Sequence, residues 1–161
     1  MAKIERKYLA HFINTAAPGS EAVYERLGKD LEEFSPEMAA QVDTKKNILG
    51  ETSILISSYE KTGSVEPYYA ETDSSLFERL QSIIDEQLVL DKLKTDVVEV
   101  KLWEGEEGTT SFPAHKEEAF IEVSSYGGDT TGYQIPFTLH FTGNKVKGTF
   151  DVKTKTFTAQ E

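Results

Sequence analysis

Three histidines, His11, His115 and His140, are the side chains in this sequence best suited to metal binding or proton transfer. They lie far apart, and none has the spacing from a second histidine that zinc ligands show. The chain contains no cysteine, which excludes disulfides and thiolate metal sites and is typical of a protein assembled in a reducing cytosol. The histidines are therefore interpreted as ordinary strand or loop residues, and the sequence predicts neither a metal nor a cofactor.

Carboxylates and hydroxyls could support hydrolysis. Adjacent glutamates occur at residues 32–33, 106–107 and 117–118, and paired carboxylates are the catalytic groups of glycosidases. Neighbouring residues of a strand point to opposite faces, however, so these pairs do not converge on one substrate. The serine pairs at residues 57–58 and 124–125 lack a Gly-x-Ser-x-Gly turn, and the sequence has no glycine-rich phosphate loop. The sequence therefore predicts that the protein is not an enzyme.

Aromatic side chains could stack sugars or bases. The candidates are Tyr68, Tyr69, Phe112, Tyr126 and Tyr133. Packing in the core or at an interface is favoured for such residues in a β-rich chain. The alternative that stays open is a soluble β-sandwich module that binds a ligand or a carbohydrate in a concave, aromatic-lined pocket.

The hydrophobic pattern predicts a mainly β chain. Alternation with a period of two indicates strands at residues 7–14, 37–45, 53–61, 64–70, 95–104, 118–125, 133–142 and 146–157. Pro67 places the fourth of these at a sheet edge or a bulge, and Gly143-Asn144 predicts a tight hairpin between the last two. Residues 24–34 fit a helical turn or two short strands equally well.

One helix is predicted at residues 75–88. Its apolar residues recur on one face: Leu76, Phe77, Leu80, Ile83, Ile84 and Leu88. Ser75 and Glu78 match a capping box. We expect the face centred on Phe77, Leu80 and Ile84 to cover a sheet. Strands followed by one helix and further paired strands predict a two-layer β-sandwich with a flanking helix, in a single domain spanning residues 1–161.

Charge restricts the possible partners. The net charge of −11 opposes binding to phosphate backbones. Acidic residues concentrate at residues 21–37 and 104–122, whereas Lys145, Lys147, Lys153 and Lys155 make the C-terminal region basic. Separated regions of opposite charge allow copies of one chain to stack. No secretory signal is present, and no apolar stretch approaches the ~20 residues of a membrane helix, so we expect a soluble protein that is not exported and does not bind a membrane.

An ordered set of short motifs spans roughly the middle half of the chain. Residues 43–52 read Asp-Thr-Lys-Lys-Asn-Ile-Leu-Gly-Glu-Thr, and residues 62–70 read Thr-Gly-Ser-Val-Glu-Pro-Tyr-Tyr-Ala. An Asp-Ser-Ser-Leu-Phe segment at residues 73–77 then opens the helix, and a Val-Val-Glu-Val strand follows at residues 97–100. This order resembles the tail tube (major tail) proteins of long-tailed bacteriophages and prophages of Gram-positive bacteria.

The resemblance implies a structural role. Tail tube proteins are β-sandwiches flanked by a helix, and six copies close a ring in which the inner sheets join into one barrel. Rings stack into a tube through which the genome passes without specific binding. The expected partners are copies of the chain itself and the tape measure, tail tip and terminator proteins. The expected location is the virion tail, after assembly in the host cytoplasm.

The resemblance also implies roles for particular residues. The loop at residues 44–53 would reach a neighbouring subunit or ring through Asn47, Ile48, Leu49, Gly50 and Glu51. Ile48 and Leu49 are apolar in an otherwise polar loop, which favours burial against a neighbour.

An acidic channel would let DNA slide, because it repels the phosphates. Glu118 and Glu122 share the outward face of the strand at residues 118–125 and are the candidate residues for the lumen. Glu99, expected to be exposed on the strand at residues 95–104, is a further candidate, although Lys101 shares its face.

Overall fold

The computed structural model describes residues 2–28, 34–66, 68–105 and 107–160. Strands make up 51% and helices 14% of the chain, so the predicted mainly β, sandwich-like fold with one α-helix is confirmed. The strands are β1 (Leu9–Asn14), β2 (Tyr24–Leu27), β3 (Ala40–Lys46), β4 (Thr52–Tyr59), β5 (Thr62–Val65), β6 (Lys94–Lys101), β7 (Ser111–Val123), β8 (Gly127–Asp129), β9 (Gly132–Gln134), β10 (Phe137–Asp151) and β11 (Thr156–Ala159). The helix α1 is Ser75–Glu86, and short 3₁₀ turns lie at Arg6–Tyr8, Leu90–Leu93 and Leu102–Glu104.

Seven of the strands form one curled antiparallel sheet. Its order is β11-β10-β7-β6-β1-β2, and β5 pairs with the first half of β10. The long strands β7 and β10 pair from Phe137 opposite Val123 to Asp151 opposite Ser111. The hairpins β3–β4 and β8–β9 are separate from this sheet.

The hairpin predicted at Gly143-Asn144 is wrong. Phe141 pairs with Ala119 and Lys145 with Glu117, so β10 continues past these two residues as a bulge. Gly143 takes a φ of +89°, which a glycine adopts without steric cost. The chain reverses later, between β10 and β11, where the Asp151 carboxylate accepts hydrogen bonds from the backbone N–H groups of Lys153 and Thr154.

Two hydrophobic cores lie on opposite faces of the sheet, at opposite ends of the β7–β10 pair. The helix-side face is buried by α1 and β5, and its core includes Ile13, Val65, Leu76, Leu80, Ile83, Val97, Ala119, Ile121, Ile135, Phe137 and Leu139. The far-side face carries Ala10, Phe12, Tyr24, Val98, Val100, Ala114 and Phe150. Among the described residues, each face is therefore covered over one part of its length and open over the rest.

The N-cap of the helix lies one residue before the predicted cap. Ser74, rather than Ser75, is the N-cap, and its Oγ accepts a hydrogen bond from the N–H of Phe77 at 3.3 Å. Glu25 on β2 selects this position, because its carboxylate accepts from Ser74 Oγ at 2.8 Å and from the N–H of Leu76 at 3.0 Å. Among the described residues, no helix has the length and apolar character needed to cross a membrane.

The buried face of α1 is shifted slightly from the predicted one. Leu76, Leu80 and Ile83 are buried, whereas Phe77 and Ile84 are partly buried against the same core. Of the three residues predicted at the centre of the buried face, Leu80 is the one that is fully buried, and it packs on the helix-side core as expected.

Arg79 anchors the helix to the sheet. Its buried guanidinium donates to the carbonyl oxygens of Ala16, Lys92 and Lys94. Ala16 follows β1, Lys92 precedes β6, and Lys94 is the first residue of β6. Burial lowers the pKa of Arg79. These bonds satisfy its donors without a carboxylate among the described residues, so helix position is coupled to both neighbouring strands.

Part of the sequence prediction falls outside the described residues. Of residues 24–34, Tyr24–Leu27 form β2 and Phe34 is buried, while residues 29–33 are not described. Pro67 and Glu106 also lie outside the described ranges.

Replacing Leu80 by alanine should destabilise the fold. Leu80 is 0% exposed, so Leu80→Ala should lower the free energy of unfolding by about 2–5 kcal/mol through lost burial and a residual cavity. Urea denaturation of the monomer measures this. Leu49→Ala is the matched control, because Leu49 is 77% exposed and its truncation should cost less than about 0.5 kcal/mol. Equal losses in the two variants would contradict the assignment of the core.

Candidate functional site

The β3–β4 hairpin ends in a turn organised by Asn47. Its side-chain Oδ1 accepts hydrogen bonds from the N–H groups of Leu49 at 2.9 Å and Glu51 at 3.0 Å. Its backbone exchanges bonds with Gly50 and Glu51, each at 3.1 Å. Gly50 has a φ of +82°. The turn therefore holds Ile48 and Leu49 outward in a defined conformation, and Ile48 is fully exposed.

The stem of the hairpin is exposed along its whole length. Val42 pairs with Ile56 and Thr44 with Ile54, so these four side chains share one face. Asp43, Lys45 and Ser53 occupy the other face with Leu55. One face of the hairpin is therefore apolar although no described residue covers it.

The irregular part of the predicted 44–53 loop is narrower than expected. Strands β3 and β4 extend to Lys46 and from Thr52, which leaves Asn47, Ile48, Leu49, Gly50 and Glu51 as the turn. The segment reaches outward because its flanking strands are long, and the apolar surface extends from the tip into the stem. The stem residues Ile54 and Ile56 were not predicted to belong to this surface, although the apolar run Ile54-Leu55-Ile56 is visible in the sequence.

The three candidate lumen residues do not lie on one surface. Glu118 and Glu122 share the far-side face of β7, as predicted. Glu118 Oε2 lies 3.4 Å from Lys94 Nζ, and the exposed Glu122 lies 2.6 Å from His140 Nε2. Glu99 is opposite His115, on the helix-side face, and is half-buried. The expectation that Glu99 is exposed is wrong, because its carboxylate packs against the buried His11.

A buried ionic cluster occupies the helix-side face where α1 does not cover it. His11 Nε2 lies 3.2 Å from Glu99 Oε1, and Lys61 Nζ lies 3.0 Å from Glu117 Oε1. The His11 ring also packs edge-on against Phe34, with ring centroids 4.8 Å apart. The cavity beside these groups measures only about 10 Å³, the volume of one water at most. This cavity therefore has no room for a substrate.

A larger groove of about 480 Å³ lies on the far-side face next to the segment at residues 15–22. Its floor is charged, with Lys94, Asp96, Lys116 and Glu118. Tyr24 is the aromatic side chain among its described lining residues, and its hydroxyl donates a 2.5 Å hydrogen bond to Asp96. This lining does not present a stacking surface for a sugar ring.

The candidate aromatic residues are dispersed. Tyr68 packs edge-on against Phe137, and Phe112 belongs to the far-side core. Tyr133 packs on Phe77, whereas Tyr126 is exposed. Among the described residues, no group of three or more histidines and carboxylates is placed to hold a metal ion.

No family model matches the sequence, and neither does any curated protein.

Glu99 makes the fold sensitive to acid. The hydrogen bond from His11 lowers the pKa of Glu99 to about 2, with help from the charges of Lys61 and Lys145 and against the effect of burial. Because this pKa lies below the usual 4.5, the carboxylate stabilises the fold above about pH 4.5. That contribution is lost as the pH falls towards 2.

Glu99→Gln should therefore be less stable than the wild type at neutral pH, by on the order of 1–3 kcal/mol. The difference should shrink between pH 4.5 and pH 2. Thermal melts across this range measure it. Glu122→Gln, which removes an exposed carboxylate beside a histidine, is the matched control and should change stability much less. A difference between wild type and Glu99→Gln that stays constant with pH would contradict this account.

Proposed function

We propose that this chain is a structural tail tube protein whose copies close into rings, most simply of six, that stack into the conduit for a phage genome. The observation that carries the proposal is the exposed β3–β4 hairpin, with its ordered apolar tip and apolar face. The motif order of residues 43–100 supports the same assignment.

The hairpin exposes apolar surface that is unfavourable in an isolated subunit and that contact with another copy would bury. A two-stranded hairpin is marginally stable alone in water, and contiguous exposed apolar surface marks an interaction site. Ile48, Leu49, Ile54 and Ile56 are each more than half exposed. Burial of this surface on a second copy would contribute about 25 cal/mol for each Å² removed from water.

The main sheet also has edges that a ring could pair. Within the described residues, β2 has β1 as its partner on one side, and β11 pairs with β10 alone. Open strand edges are sites of association between chains, and a closed barrel removes them. Sheet closure between subunits therefore satisfies backbone groups that an isolated subunit exposes to water.

The channel surface is assigned to the far-side face of β7. Glu118 and Glu122 lie there, and repetition around a ring would concentrate their charge. At physiological salt the screening length is about 8 Å, so such a charge acts on DNA inside the tube rather than at a distance.

Electron microscopy of the purified protein, alone and with tail initiator proteins, tests the assembly. We expect rings or tubes from the wild type. Ile48→Asp combined with Leu49→Asp should give a folded monomer that does not polymerise, because burying two new carboxylates in the contact is costly. Light scattering measures the assembled fraction.

The matched control exchanges the same two residues while keeping them apolar. Ile48→Leu with Leu49→Ile should assemble like the wild type. Normal polymerisation of the double aspartate variant would refute the role of the tip, and a strict monomer of the wild type under every condition would refute the proposed function.

Charge reversal tests the channel surface. Glu118→Lys with Glu122→Lys should leave tubes intact but slow or block DNA release from assembled virions, because lysines would bind the passing phosphates. Triggered genome ejection measures the rate. The control Glu104→Lys with Glu107→Lys makes the same change in charge in the connection between β6 and β7. Virions that carry it should release DNA normally. Normal release by the Glu118–Glu122 variant would place these residues elsewhere.

A further inference from the structure

The open part of the helix-side face carries a basic corner in an acidic protein. The basic corner consists of Lys101 on β6, His115 on β7, and Lys145 and Lys147 on β10. Lys147 lies directly opposite His115, while Lys101 and Lys145 are its diagonal neighbours on the two flanking strands. Burial, together with the charges of Lys145 and Lys101, lowers the pKa of His115. Cationic side chains therefore converge on one surface.

Internal carboxylates balance only part of the charge of this corner, because Lys145 lies opposite Glu117 and lines the same small cavity as Glu99. Glu99 is engaged by His11, and Glu117 by Lys61. Lys101, Lys145 and Lys147 form no ion pair among the described residues. Like charges on adjacent strands repel each other, so an acidic surface placed over the corner would relieve the repulsion that remains among the described residues.

A surface of the complementary kind lies where α1 ends. The acidic knuckle consists of Asp85, Glu86, Val89, Leu90 and Asp91, all of them exposed. The last turn of α1 contains no basic residue. Carboxylates at a helix C-terminus are unfavourable, because the helix dipole places partial negative charge there. Cationic side chains from another molecule would stabilise this end of the helix.

The centre of the knuckle is apolar and strained. Leu90 is 80% exposed and adopts a left-handed φ of +56°, and Val89 beside it is also exposed. A leucine in this conformation costs free energy, and such strain concentrates at functional sites. Apolar residues surrounded by charges are the usual composition of a protein–protein contact.

We propose that the acidic knuckle of one copy docks on the basic corner of the next copy, in a head-to-tail contact. This inference rests on the proposed homomeric assembly and specifies one of its interfaces. The occupant is a second copy because the same chain carries both complementary surfaces. Because the two surfaces differ, the contact repeats from copy to copy and closes a ring or extends a stack. The aliphatic stems of the lysines supply apolar surface for Val89 and Leu90.

Charge-swap complementation tests the contact. Lys101→Glu with Lys147→Glu reverses the corner and spares Lys145, which lies opposite the buried Glu117. Asp85→Lys with Glu86→Lys reverses the knuckle. Each variant alone should lower the assembled fraction at least about tenfold, because like charges then meet. Sedimentation velocity measures that fraction.

Assembly should return when the variants are combined. An equal mixture of the two variants pairs a negative corner with a positive knuckle in one contact and the wild-type charges in the next. A single chain that carries all four substitutions should also assemble. Assembly of either single-surface variant at the wild-type level, or failure of both combinations, would overturn the proposed contact.

Controls separate this contact from folding and from the general function. Lys153→Glu with Lys155→Glu produces the same change in net charge in the β10–β11 turn and should assemble normally. Asp85→Lys with Glu86→Lys should not lower the melting temperature of the monomer, because it improves the charge at the helix end. A wild type that never forms rings would refute the proposed function, whereas rings that are insensitive to both reversals would refute this interface alone.

Leu90→Gly provides an independent test of the proposed contact. Glycine adopts the left-handed conformation without strain, so the melting temperature of the monomer should not fall. The assembled fraction should nevertheless drop, because the apolar centre of the knuckle is lost. Unchanged assembly of Leu90→Gly would contradict the part assigned to Leu90.

Discussion

The antiparallel ladder between β7 and β10 is the interaction on which the rest of the structure depends. Its two strands are the longest in the chain, and they run from the helix-side core at one end to the far-side core at the other. Ala119 and Ile121 serve the first core, and Ala114 and Phe150 serve the second. The bulge at residues 142–144 inserts two residues, so alternation is preserved and each side chain keeps its face. This continuous ladder therefore joins the two cores through one sheet.

The same arrangement leaves each face of the sheet open over part of its length. The open surfaces carry charge, and the inward carboxylates Glu99 and Glu117 are held by His11 and Lys61. Buried ion pairs contribute little net stability, because desolvation offsets their attraction, but removing one partner is costly. The pairs therefore fix which charges face inward, while Lys101 and Lys147 have no ion-pair partner among the described residues. The apolar face of the β3–β4 hairpin is likewise exposed among the described residues.

Sequence periodicity predicted the elements that carry a regular apolar pattern of their own. The helix, β1 and the β3–β4 strands follow from alternation or helical spacing alone. Three features required tertiary information. Ser74 caps the helix in place of Ser75 because Glu25, far away in sequence, binds both Ser74 and the first turn. Gly143-Asn144 has hairpin chemistry, yet β7 offers a continuous partner, so the chain does not turn. The first half of β7, from Ser111 to Glu117, lacks a clear apolar alternation, and its strand character comes from β6 and β10 on either side.

The site residues were harder to predict than the helix and strands, because the sheet face on which a side chain lies depends on the register of strand pairing. Glu99 and Glu122 look equivalent in sequence, each in an alternating strand, but pairing places them on opposite sides of the sheet.

The net charge of −11 also gives an incomplete account of association between copies. Overall repulsion extends only about one screening length in physiological salt, so contacts at short range decide the outcome. An acidic protein can therefore associate with itself if local charges are complementary and apolar surface is buried at the same time. Exposed apolar area lies on the hairpin and at Val89 and Leu90, whereas charge lies on the open sheet and at the helix end, so an interface between copies would have to combine both kinds of surface.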